Sequence, residues 1–167
     1  LIIINSVLLF LNLTNNNLEI SFFLTGQIII LISFLLFNFP KAKIFLGDSG
    51  SYLFGSIVAL NIIYTNNQNP EVSSFFFCIL LFYLFYEVFF SFIRKTYQKK
   101  SPVLPDNKHL HMICYQIISK KFGHKNGNYI NSVIINFVFA LLVLPSVYFA
   151  DNSLLCKYWF FSVILIY

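Results

Sequence analysis

Pro40-Lys41-Ala42-Lys43-Ile44-Phe45-Leu46-Gly47-Asp48-Ser49-Gly50-Ser51 decides how this chain is read, because it sets a carboxylate inside an apolar run. A charged side chain in a membrane segment costs about 2.5 to 3.5 kcal/mol on insertion scales, so one that is retained marks a candidate functional position. Around Asp48, the small residues Gly47, Ser51, Gly55 and Ala59 recur every fourth position. That spacing lays them along one helix stripe, where another helix is expected to approach closely. Asp48 is therefore expected to face protein or water and not lipid.

Working outward, the whole composition points to a membrane. The 167 residues are 58% hydrophobic, 20% aromatic and only 10% charged, with a mean hydropathy of +0.76. No soluble globular class has that balance. The reading is an all-α, polytopic integral membrane helical bundle with four full spans and partial spans at both ends. Full spans are expected at residues 20–37, 44–64, 72–93 and 129–149, and partial ones at 1–13 and 158–167. Residues 1–167 form a single transmembrane domain, in which 94–128 is the one long polar loop.

The formal charge of +5 does not imply nucleic acid, because the basic residues are not spread over a face. Ten of the eleven Lys and Arg residues fall in Lys41–Lys43 and Arg94–Lys125, and only Lys157 lies in a loop of the other set. By the positive-inside rule, the Asp48 turn and the 94–128 loop share the cytoplasmic side. Cys78, Cys114 and Cys156 make no disulfide framework and are read as free thiols.

Three features carry chemistry. Asp48 suits a divalent cation, since Mg2+ commonly takes one or two protein carboxylates and completes its octahedron with water and substrate phosphates. The rival reading is a carboxylate held by the dipole of the first helical turn. In Pro102-Val103-Leu104-Pro105-Asp106-Asn107-Lys108-His109-Leu110-His111, two prolines stiffen a loop that presents His109 and His111 two residues apart. In an extended segment such a pair points one way, roughly 6 to 7 Å apart, and suits a phosphate or a metal; a solvated loop is the alternative. Glu87 sits in the 72–93 span, two turns before Arg94, and reads either as a functional acid or as a buried hydrogen-bonding or snorkelling partner of Arg94. Further along, Ile113, Ile117, Ile118 and Phe122 alternate with polar residues at helical spacing, as in an interfacial helix or a plain amphipathic linker. His124 reads as exposed and idle.

Taken together, residues 40–51, Tyr86-Glu87 with Ser91 and Arg94, and Ser101-Pro102-Val103-Leu104-Pro105-Asp106-Asn107-Lys108-His109-Leu110-His111 resemble the glycosyltransferase family 4 polyprenyl-phosphate N-acetylhexosamine-1-phosphate transferases. The resemblance covers about residues 20–150. It implies a Mg2+-dependent phosphoglycosyl transferase, with Mn2+ as a substitute, that moves a sugar 1-phosphate from a UDP-sugar to a polyprenyl phosphate and releases UMP. It implies Asp48 as the metal ligand and catalytic residue, and His109 and His111 as catalytic contacts to the nucleotide diphosphate. Lys43, Ser49, Arg94, Asn107 and Lys108 are implied to bind substrate. The implied setting is a bacterial inner (plasma) membrane, with the active-site loops cytoplasmic and the product entering cell-wall or lipopolysaccharide synthesis; a homodimer is compatible with it.

The chain departs from the family pattern in two ways. The Asp-Asp-rich and Asn-x-x-Asp-Gly motifs expected upstream are absent, so this chain is expected to be the C-terminal part of such an enzyme. Met112 stands where a third histidine often follows the pair. The rival readings are a transporter or proton-relay subunit using Asp48 and Glu87, and an inactive fragment. Orientation is testable in a background without native thiols. A cysteine at position 67 should react with an impermeant reagent from outside, and one at position 107 only after permeabilisation; the reverse pattern would overturn the assignment.

Overall fold

The computed structural model describes residues 1–99, 101 and 108–166. Among the described residues the helices are α1 (Ile2–Thr14), α2 (Leu18–Asn38), α3 (Gly47–Gln68), α4 (Ser74–Tyr97), α5 (Leu110–Val147) and α6 (Ser153–Ile166). No strand occurs among the described residues. The protein is an all-α polytopic membrane protein.

Among the described residues, three helical stretches are long and apolar enough to cross a bilayer: Leu18–Asn38, Ser74–Tyr97 and the Asn126–Val147 part of α5, with mean hydropathies of 2.4, 2.2 and 2.2. At 1.5 Å per residue each is about 30 Å long or more, matching the hydrocarbon core. The fourth full span expected at 44–64 corresponds to α3, which has 22 residues and begins at Gly47. It does not reach the same apolarity, because Asp48, three serines, Asn61 and Thr65 interrupt it. Several of those groups are satisfied internally: the Ser51 and Ser56 hydroxyls donate to the carbonyls of Gly47 and Tyr52 at 2.9 and 2.8 Å. The partial spans are the short apolar helices α1 and α6.

The chain divides into two compact units, Leu1–Leu80 with the segment from Val143 onward, and Leu81–Leu142. In the first unit, α1 and α2 form a hairpin whose turn places Asn16 in the left-handed region, at φ 58°, which Asn tolerates better than most residues. Ile4, Val7, Leu8 and Leu11 of α1 are buried, as are Ile20, Leu24 and Leu31 of α2 and Val58 and Ile62 of α3. Two polar layers cross this apolar packing. In one, Asn5 Nδ2 donates to Gln27 Oε1 at 3.3 Å, and Asn61 Nδ2 donates to the same oxygen at 2.6 Å. In the other, Asn12 donates to the Thr65 hydroxyl at 2.9 Å, while Asn15 and Asn17 both donate to Asn69 Oδ1. Asn69 in turn donates to the Thr65 carbonyl at 2.6 Å. These amides tie three helices together and give most of their buried polar atoms partners within the protein, Asn5 Oδ1 being an exception.

The stripe of small residues behaves differently from the expectation. Ser51, Gly55 and Ala59 are exposed, and a methyl group added at Gly55 would meet nothing within 4 Å. What α3 buries is its C-terminal half, at Val58, Asn61, Ile62 and Thr65. The contacts that hold α3 lie in that half, where Thr65 accepts from Asn12 of α1 and Asn61 donates to Gln27 of α2.

The rest of this unit joins the start of α4 to the α5–α6 turn. The Ser73 amide donates to the Ala150 carbonyl at 2.9 Å, and Asn152 Oδ1 accepts the Leu155 amide at 3.1 Å, capping α6. Asn69 is fully buried, and Asn69→Ala would leave the Asn15 and Asn17 amides without their shared acceptor. The expected cost is about 1–3 kcal/mol. It should appear as a Tm several degrees below that of the exposed control Asn67→Ala in detergent; equal Tm values would refute the role of this layer.

Candidate functional site

Asp48 stands in the first turn of α3 and is exposed. The chain reaches it through a loop braced by Asn38, whose Oδ1 accepts the amides of Lys43 and Ile44 at 3.0 and 2.8 Å. Gly47 then turns the chain into the helix at φ 70°, a conformation that a side chain would strain. Gly50 lies against Leu46, since a Cβ there would come within 2.8 Å of that side chain. The two glycines of Gly47-Asp48-Ser49-Gly50 thus set the path that presents Asp48. The carboxylate stands at a helix end and not midway along a span, and the helix dipole favours it there. Lys43 and Ser49 are also exposed.

As a ligand, Asp48 offers the hard oxygen that Mg2+ prefers. No group of three or more His, Cys, Asp or Glu that could hold a metal ion occurs among the described residues. The donor chemistry fits Mg2+ held by one protein carboxylate, with the other positions left to water and phosphate.

The second cluster lies in the Leu81–Leu142 unit. Each oxygen of the Glu87 carboxylate has a partner on the segment leading into α5. His109 Nδ1 lies 2.7 Å from Oε2, and the amide of Leu110, the first residue of α5, donates to Oε1 at 2.8 Å. Glu87 is nearly enclosed, with 11% of its side chain exposed against 28% for His109. One helical turn beyond Ser91, Arg94 donates from Nη1 to the Lys108 carbonyl at 2.9 Å, and its guanidinium stands 5.8 Å from the centre of the Phe90 ring. The His109 and His111 rings lie nearly parallel, 5.7 Å apart at 12°. They do so at a helix start, with His111 already in the first turn of α5, and not along an extended strand.

A third element reaches the histidines from beyond the turn in α5. At Gly123, φ 77° and ψ 156° break the helix, and the chain folds back on itself. Gly127 abuts the backbone of Ser119, leaving only 3.0 Å for a Cβ, so the two arms touch closely. Asn131 on the returning arm donates to the His111 carbonyl at 2.9 Å. The first arm carries Ile113, Ile117 and Phe122 exposed, as suits a helix lying in an interface. His124 is exposed, and its Nδ1 is 3.3 Å from the Tyr115 hydroxyl.

The structure brings together Glu87, Arg94, Lys108, His109 and His111 around the head of α5. Asn107, like Lys100 and the proline-bounded stretch 102–106, lies outside the described residues. The Asn131 contact had no signal in the sequence: an Asn in an apolar helix is a hint, but the twenty residues to His111 hide the partner. For Glu87 the sequence suggested Arg94 and left out the histidine. The three cysteines are free.

Comparison with known proteins bears on the region that carries Asp48. Residues 1–66 match glycosyl transferase family 4. The undecaprenyl-phosphate alpha-N-acetylglucosaminyl 1-phosphate transferase of Thermotoga maritima is 38% identical over 93 residues, covering 56% of this chain and 29% of that protein. The probable undecaprenyl-phosphate N-acetylglucosaminyl 1-phosphate transferase of Bacillus subtilis is 29% identical over 118 residues, 69% of this chain and 32% of that one. The matched stretch therefore spans about a third of the length of these relatives. No solved structure matches the chain. The resemblance to glycosyl transferase family 4 read from the motifs is met over this part of the chain, and the transporter reading finds no support in it.

Proposed function

We propose that the protein to which this chain contributes transfers an N-acetylhexosamine 1-phosphate, by its relatives N-acetylglucosamine 1-phosphate, from a UDP-sugar to a polyprenyl phosphate. The carrying observation is the paired imidazoles of His109 and His111 at the head of α5, in a chain whose first 66 residues match a family of such enzymes. An oxygen of the lipid phosphate attacks the sugar-bearing phosphorus, the bridging P–O bond to the nucleotide breaks, and UMP leaves. Two anions must approach, so the residues have an electrostatic task.

His109, His111 and Lys108 supply donors for the diphosphate. Asp48 is read as the Mg2+ ligand, and bound Mg2+ would offset the charge of the phosphates. The open first turn of α3, with no side-chain cap, favours a phosphate oxygen beside it. Lys43 and Ser49 are assigned to substrate, as are Arg94 and Asn107. The basic loops are read as cytoplasmic in a bacterial plasma membrane, where a soluble sugar nucleotide arrives.

The test is Mg2+-dependent UMP release by membranes containing the full-length enzyme. Asp48→Asn should lower it a hundredfold or more, the order expected for a lost electrostatic contact, with unchanged membrane content. Activity within about threefold of wild type would refute the assignment. His111→Ala should raise the KM for the UDP-sugar while leaving that for the lipid unchanged; the opposite split would move the histidines to the lipid.

A further inference from the structure

We propose that Glu87 is a positioning residue that fixes the ring of His109, holding the proton on Nδ1 and leaving Nε2 as the nitrogen available to a phosphate-bearing substrate. This rests on the reaction proposed above. The geometry carries it. A carboxylate is an acceptor only, and both Glu87 oxygens take donors, the Leu110 amide at 2.8 Å and His109 Nδ1 at 2.7 Å. With Glu87 ionised, Nδ1 bears the hydrogen and the ring is held in one tautomer and one orientation. The second bond sets the carboxylate on a first-turn amide of α5, one of the donors that a helix leaves unpaired and a place where its dipole favours an anion. Glu87 thus fixes the ring and the start of the helix that carries it.

The backbone around His109 has anchors of its own. Arg94 holds the Lys108 carbonyl and Asn131 holds the His111 carbonyl, each at 2.9 Å. These contacts should keep the segment in place when the Glu87 charge is lost, so the effect falls on the imidazole. His111 lies flat beside that ring, so a rotation of His109 would also disturb the pair.

The experiment uses the full-length enzyme in nanodiscs. In 15N-histidine spectra, with His109 assigned by its loss in His109→Ala, the wild-type ring should carry a hydrogen-bonded Nδ1–H, and Glu87→Gln should lose this fixed state. In a kinetic cycle, Glu87→Gln should lower kcat/KM for the UDP-sugar by about tenfold or more, since misplacement by 1 Å can cost about a hundredfold. In the His109→Ala background the same change should cost less than about twofold, because there is no ring left to position. An equal loss in both backgrounds would mean a general structural role and overturn the proposal, as would a wild-type His109 protonated only at Nε2. If Glu87→Gln fails to fold, the wild-type spectrum still decides the tautomer. A complete absence of sugar-phosphate transfer would refute the proposed function and leave the spectrum to judge the ring.

Discussion

A side-chain amide or carboxylate enclosed by apolar helices must find its partner inside the protein, and this constraint shapes both compact units. An unpaired buried polar group costs about 1–3 kcal/mol by mutational measures, a large fraction of the net stability of a typical domain. In the first unit, Asn5, Gln27 and Asn61 meet in one layer, and Asn12, Thr65 and Asn69 in another. Apolar contacts between helices are not directional and permit sliding. The amides fix how far α1, α2 and α3 can slide, because a one-turn shift of about 5.4 Å would unpair them. Thus two polar layers specify a register that the surrounding leucines and isoleucines leave open.

The same constraint organises the second unit, with a charge at its centre. Glu87 lies inside α4, a helix of membrane-spanning length, and its two oxygens are met by a histidine ring and a helix-start amide. The acid's solvation is thereby transferred to the head of α5. This arrangement also separates its fate from that of Asp48, which stands exposed on a helix end. Two acids that look alike in the sequence, both inside apolar runs, occupy opposite situations. One is a carboxylate open to its surroundings, and the other is an internal acceptor.

The helical class and the apolar character of the spans were legible because they depend on local composition. Asp48 and the His109–His111 pair stand out as polar residues in unusual places, whereas Gly47, read as part of a helix stripe, turns out to make a left-handed turn. Pairing across distance was not legible. The stripe of Gly47, Ser51, Gly55 and Ala59 has the spacing of a helix contact, yet α3 packs through Val58, Ile62 and two polar residues. Periodicity reports which residues share a face and says nothing of which neighbour meets them. The asparagines of the first loop and Asn69 showed no sign of their pairing, because the partners, more than fifty positions apart, share no local pattern. Residues 44–46 read as helix and are not, because the glycine at 47 starts a new one.

The reversal of α5 at Gly123 has a consequence for how the segment can vary in length. Residues 119 and 127 touch across it, and Asn131 meets residue 111 from the far arm, so the contact depends on the number of residues in the turn. One inserted residue would carry Asn131 about 100° around its helix axis and point its amide away from the His111 carbonyl. Substitutions on the outward side of either arm leave that count untouched. Related chains should therefore vary on the outward sides of the two arms and hardly at all in the length of this hairpin.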